Sequence, residues 1–301
     1  MTLASCDSRK TAGENPFFTE WDTSHGVPPF DKILPEHFMP AFERGMSLHE
    51  AEIDAITSNK DEATFENTIL AYDDAGQMLA QTELVFGMLC AAETNDRMQA
   101  LQEQAMPLLA AHRDKIRLDD KLFVRVKEVY DRRAALGLDA EQMRLLQKTY
   151  DSFVRAGALL DAEQKARLKE INGQLSLTAV KFGNNILAEN NNFVLELKSD
   201  ELDGLPAGIR DAAREKAQQM GKGDKWVFTL HKPSLIPLLT YSTRRDLREK
   251  IYKAYLNRCN NGDEYDNKQL INDFIRLRTE KAHLLGYPSY AAYVVADEMA
   301  G

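Results

Sequence analysis

Apolar residues recur three and four positions apart through most of this chain, the spacing of one face of an α-helix. Phe38, Phe42, Met46, His49, Ile53 and Ile56 form the first such stripe, and Pro35 suits its first turn, where a missing N–H costs little. Thr64 stands as a cap before Phe65, Ile69, Tyr72, Leu79 and Phe86, and Asn95 before Met98, Leu101, Ala105, Leu108 and Leu109. Asp119 opens a stripe of Leu122, Val126, Val129 and Tyr130 that closes near Gly137. Two further starts share a tetrapeptide, Asp139-Ala140-Glu141-Gln142 and Asp161-Ala162-Glu163-Gln164. Each sets an acidic cap three residues before a glutamine, the reciprocal capping pattern. The first leads into Met143, Leu146, Tyr150 and Phe153, the second into Leu168, Ile171, Leu175 and Phe182. The sequences after the shared tetrapeptide differ, and no period of roughly 30 to 45 residues recurs, so a helical solenoid is not expected.

The pattern changes at Asn190-Asn191-Asn192. Phe193–Leu197 and Trp226–Leu230 are short, apolar and partly alternating, the second bounded by Gly221-Lys222-Gly223 and Pro233, and they read as two strands. Residues 208–220 between them read as a helix. Helical spacing resumes at Thr243 (Leu247, Ile251, Tyr255), again near Asn267 (Leu270, Phe274, Leu277, Ala282, Leu285), and, after the break Gly286-Tyr287-Pro288-Ser289, from Tyr290 to Ala300. Prolines punctuate the opposite end: five of the ten lie between Pro16 and Pro40, marking a turn-rich lead-in whose Phe17, Phe18, Trp21 and Phe30 are expected to pin it to the body. The predicted fold is mainly α: a multi-helix domain with a small β element near 193–230.

Composition narrows the function classes. The chain has 301 residues, 47 acidic and 38 basic, for a net charge of −9. That balance argues against broad nucleic-acid binding, which needs clustered Lys and Arg. The longest uncharged stretch, Ala282 to Ala296, contains His283, Gly286 and Pro288 and falls short of the ~20 apolar residues of a membrane-spanning helix. Cys6, Cys90 and Cys259 lie far apart, without the spacing of a disulfide framework or a zinc finger. Leu3-Ala4-Ser5-Cys6 has the form of a bacterial lipobox, in which Cys6 would carry a lipid, although the charged start and apolar run of a full signal are missing. Residues 1–15 are accordingly expected to be a flexible tether with a truncated lipobox. Such a chain would face the cell envelope if the lipobox is real and the cytoplasm otherwise.

Catalytic patterns fail one by one. His49-Glu50 begins a His-Glu-x-x-His helix, but Ile53 stands where the second histidine belongs, so no zinc-peptidase site is expected and His49 reads as a boundary residue of its helix. There is no Gly-x-Ser-x-Gly elbow and no phosphate loop. The acidic pairs Asp73-Asp74, Asp119-Asp120 and Asp263-Glu264 read as solvated helix ends and loops. Arg244 to Lys250 mixes signs at helical spacing and reads as a surface laced with ion pairs. Tyr287, Tyr290 and Tyr293 read as packing residues. The residues alone therefore describe an acidic helical scaffold without a catalytic centre: no catalytic residue and no metal ligand is assigned.

Taken in order, several short segments resemble the N-terminal half of zinc metallopeptidases of the thimet oligopeptidase and oligopeptidase A family, and its peptidyl-dipeptidase branch most closely. They are Asn15-Pro16-Phe17, Pro28-Pro29-Phe30-Asp31-Lys32-Ile33, Pro40-Ala41-Phe42, Phe65-Glu66-Asn67-Thr68-Ile69, Thr94-Asn95-Asp96, Gly137-Leu138-Asp139 with Arg144-Leu145-Leu146, Lys225-Trp226, Thr243 to Lys250, and Leu284 to Ala291. The resemblance implies that residues 16–301 form one wall of a deep channel between two halves. It implies zinc as the cofactor of the complete protein, short peptides as substrates, and dipeptides released from their C-termini. It places the His-Glu-x-x-His helix in a C-terminal catalytic half that this chain lacks, so the chain itself would bind no zinc. The alternative from the residues alone is a non-catalytic helical module that binds peptides or partner helices.

Overall fold

The computed structural model describes residues 15–299; Cys6 and its lipobox lie outside them. The chain is mainly α-helical and divides into two compact units, one of residues up to Leu177 together with those from Leu277 onward, the other Thr178–Arg276.

The first unit opens on a 3-10 turn, Pro16–Phe18, capped by the Asn15 side chain, which accepts from Phe17 N and donates to the His37 carbonyl. Phe17 and Trp21 pin this lead-in, with Phe17 buried against Phe38, whereas Phe30 stays exposed, contrary to expectation. After a short 3-10 turn at Ser24–Gly26, a third, Pro35–His37, runs into α1 (Phe38–Ser58). The stripe from Thr64 to Phe86 is not one helix. Thr64 caps a π turn, Phe65–Leu70, which continues as α2 (Ala71–Asp73); the chain then turns at Gly76 (φ +78°) into α3 (Gln77–Ala92). The break is set by contact with α1. The Gly76 N–H donates to Glu52 Oε2 at 2.7 Å, and a Cβ on Gly76 would lie 2.9 Å from His49 Nδ1, so only glycine lets the turn approach α1 this closely.

The predicted caps form as read. Asn95 Oδ1 accepts from Met98 N at the start of α4 (Asp96–Arg117), and Asp119 Oδ1 from Leu122 N at the start of α5 (Asp120–Asp131). Both Asp-Ala-Glu-Gln starts make the reciprocal bonds, at α6 (Ala140–Ala156) and α7 (Ala162–Asn192). Two cores result. Phe17, Phe38, Phe42, Phe86, Met98 and Leu109 make an aromatic-rich one, with the Phe38 and Phe86 rings 4.9 Å apart, and Ile53, Phe65, Ile69, Leu122, Val126, Leu146 and Phe153 make the other. A buried guanidinium ties the second together: Arg125 donates to the Asn59 and Asp61 carbonyls and to Asn67 Oδ1.

In the second unit β1 (Leu195–Leu197) pairs antiparallel with β2 (Trp226–Phe228), Leu195 opposite Phe228 and Leu197 opposite Trp226. Leu195 and Leu197 point into a core with Phe228, Leu230, Leu235, Leu238, Leu247 and Ile251. The helix between the strands is α8 (Ala207–Gln219). After β2 comes an unforeseen helix, α9 (Lys232–Tyr241), then α10 (Arg245–Leu256). Two prolines hide α9 in the sequence: Pro233 stands in its first turn, where it is tolerated, and Pro237 lies inside. The long helix α11 (Lys268–Leu284) leads back into the first unit, where Ser289 caps α12 (Tyr290–Val295). That last helix stops at Val295, short of the expected Ala300.

Candidate functional site

Two features of the structure gather chemistry-bearing residues: a histidine pair in the first unit and a groove in the second. The histidines are 63 residues apart in sequence, on α1 and α4, and meet with His112 Nε2 3.0 Å from His49 Nδ1. His112 is buried, and its Nδ1 lies 3.5 Å from Glu50 Oε1 without hydrogen-bond alignment, while Lys115 Nζ bonds Glu50 Oε2 at 2.8 Å. Burial, and next the facing His112 ring, hold His49 below the ordinary imidazole value. Burial holds His112 down as well, against the opposing pull of Glu50. Two neutral imidazoles sharing one proton bond is the state this arrangement favours. The histidine that the sequence assigned to a helix boundary is thus half of an inter-helix contact.

The groove lies between α9 and α10. It encloses about 540 Å³ and is lined by Leu239, Arg245, Arg248, Glu249, Tyr252, Lys253 and Leu256. Leu247 and Ile251 turn the opposite face of α10 into the core, which leaves Tyr252 (50% exposed) and Leu256 (61% exposed) on the open side. Charge surrounds this apolar floor. Lys253 bonds Glu249, Arg244 pairs with Asp246 at 2.7 Å just outside, and the Arg248 guanidinium donates to the Ser242 carbonyl closing α9. The ion-pair surface read at 244–250 is therefore present, but it borders an apolar groove that the reading missed. The available signal was Tyr252 and Leu256, four apart and off the Leu247–Ile251–Tyr255 stripe.

The remaining candidates serve structure. Tyr293 meets Tyr287 edge-on at 5.2 Å and the tilted Tyr290 ring at 5.8 Å, and takes the Arg155 guanidinium over its face at 4.8 Å while its carbonyl accepts from Arg155 Nη2, so this cluster fastens α12 to α6. The Cys90 thiol is pushed up to about 11 by burial, and Cys259 to about 11 by burial and then Glu189, so neither is poised as a nucleophile. Among the described residues no three His, Cys, Asp or Glu side chains come together as a metal-holding group, and none of their helices is long and apolar enough to cross a membrane.

Comparison with known proteins gives these features a context. Residues 238–301 match the model of Peptidase family M3. Across 287 residues the chain is 37% identical to the dipeptidyl carboxypeptidase of Escherichia coli (strain K12), an alignment covering 95% of this chain and 42% of that protein. The chain is thus similar to peptidase family M3 through residues 238–301, and to a dipeptidyl carboxypeptidase over nearly its whole length. Oligopeptidase A of the same E. coli strain is 26% identical over 291 residues, again 95% of this chain and 42% of its own length. The chain thus spans about two fifths of the length of these M3 relatives. The M3 match begins inside α9, so the groove residues from Leu239 to Leu256 all fall within it.

Proposed function

We propose that this chain is the N-terminal, channel-forming part of a zinc metallopeptidase that releases dipeptides from the C-termini of short peptides. One observation carries the reading: 37% identity to a dipeptidyl carboxypeptidase sustained over 95% of this chain but only 42% of that enzyme. In such an enzyme zinc supplies an acidified, nucleophilic water and polarises the scissile carbonyl. The described residues of this chain do not suit that ion. His112 is buried and contacts the half-buried His49, and the carboxylate nearest to the pair, Glu50, is bonded to Lys115. The chain's own contribution is mechanical: helices that bound the space in which a short, unfolded peptide lies, and a width that turns folded proteins away. Peptide and zinc would meet on the catalytic part that carries His-Glu-x-x-His.

The test compares this chain with the product of the uninterrupted reading frame that contains it. Metal analysis and a chromogenic tripeptide assay are expected to find neither stoichiometric zinc nor turnover in residues 1–301, and both in a longer product carrying His-Glu-x-x-His. One zinc per chain or dipeptide release from residues 1–301 alone refutes the proposal. So does a longer product that holds no zinc, which leaves a peptide- or partner-binding module.

A further inference from the structure

The groove between α9 and α10 has an apolar floor, a charged rim and no helix of its own unit laid across it. Leu239, Tyr252 and Leu256 form the floor, and the rim carries three cations, Arg245, Arg248 and Lys253, against one carboxylate, Glu249. That carboxylate is already bonded to Lys253 and meets Arg245 only as a nearby charge, so Arg245 faces the opening uncommitted by a hydrogen bond. A basic rim on a chain whose net charge is −9 is a local departure that selects for an acidic partner. The dimensions suit a helix: α10 has 12 residues and is about 18 Å long, and Arg245, Glu249, Tyr252 and Leu256 follow one another at helical spacing along its open face. Helix-in-groove recognition uses this combination of apolar anchors between charged flanks.

We infer that this groove seats an amphipathic helix with an apolar stripe and an acidic flank, contributed by the catalytic part of the peptidase. The source of the helix rests on the proposed function, and the lengths support it: the M3 relatives carry more than half of their sequence outside the region aligned with this chain. Leu256 and Tyr252 take the apolar stripe, and Arg245 and Arg248 pair with the acids.

The experiment uses this chain and two labelled synthetic peptides of roughly 18 residues, long enough to hold a helix. Both carry leucines at i, i+3, i+4 and i+7; one has glutamates on the flank and the other lysines. Fluorescence anisotropy is expected to show the glutamate peptide binding about tenfold more tightly, a preference that narrows as salt rises. Leu256→Asp weakens the glutamate peptide about tenfold, and Arg245→Glu erases the preference between the two. Both substituted side chains lie on the open face, and circular dichroism with thermal melting confirms that the variants fold. Absence of binding, equal affinity for both peptides, or an unchanged Kd in Leu256→Asp overturns the inference. Any of these leaves the peptidase reading to the metal and tripeptide assays, which do not depend on the groove.

Discussion

At the scale of single residues, the contact between His49 and His112 turns two side chains without a catalytic pattern into a source of acid sensitivity. The groups around the pair are Glu50 and Glu52 on α1, Glu83 on α3, and Arg113 and Lys115 on α4. Both imidazoles are held below their ordinary 6.5 in the folded chain. Above that value neither state binds the protons, and stability from this source is flat. As pH falls below about 6.5 the unfolded chain takes up protons that the folded chain refuses, so the folded state loses stability. Glu50 acts in the same direction at lower pH. Its carboxyl is held below 4.5, chiefly by the Lys115 hydrogen bond, so the stability from that bond is present above 4.5 and is lost as pH drops further. The melting temperature is expected to fall between pH 7.5 and pH 5.5, and His112→Gln, which keeps an amide donor near His49 and removes one titrating group, should flatten the fall. A wild-type melting temperature that does not change over this range contradicts the assignment. Little of this was visible beforehand, because a pair separated by 63 positions leaves no local pattern.

At the scale of elements, glycines of opposite kind give a sharp comparison. Gly204 has φ +82°, and a Cβ there would lie 2.2 Å from the Tyr241 carbonyl oxygen, in the turn where Thr243 N–H donates to the Asp203 carbonyl. Gly204→Ala must move backbone and is expected to cost about 2 kcal/mol or more. Gly173 lies inside α7 with nothing within 4 Å of its added Cβ. Gly173→Ala is expected to stabilise by about 0.5–1 kcal/mol, through better helix propensity and a less flexible unfolded chain. Denaturant titration of both variants checks the pair, and a neutral Gly204→Ala contradicts the role given to the turn. Caps were the most legible feature at this scale, since a cap is decided within four residues: Asn95, Asp119, Asp139 and Asp161 all act where their sequences place them. The π turn before α2 and the helix α9 were not legible. Nothing in the Phe65–Leu70 sequence sets a π turn apart from an α-helix, and α9 hides behind two prolines.

At the scale of the whole molecule, the expected consequence is association. Tyr252 and Leu256 are each half exposed or more and line the groove together with Leu239. Apolar surface gathered in this way marks an interaction site or an aggregation liability. Sedimentation velocity on the isolated chain should show concentration-dependent self-association that weakens with Leu256→Asp. A strictly monomeric chain over the accessible concentration range counts against it.

Periodicity and capping in the sequence determined that this chain is helical, where most helices begin and where the two strands lie, because those choices are settled by neighbours three or four residues apart. Its ordered motifs also marked the peptidase family that it resembles, since their sequence and spacing survive as a pattern along the chain. Tertiary structure alone decided that α1 and α4 share a half-buried imidazole contact, that the Thr64–Phe86 stripe breaks at Gly76, and that the second apolar face of α10 opens onto a groove. Those outcomes depend on which distant segments approach within a few ångströms, and that closeness is set by packing rather than by local spacing.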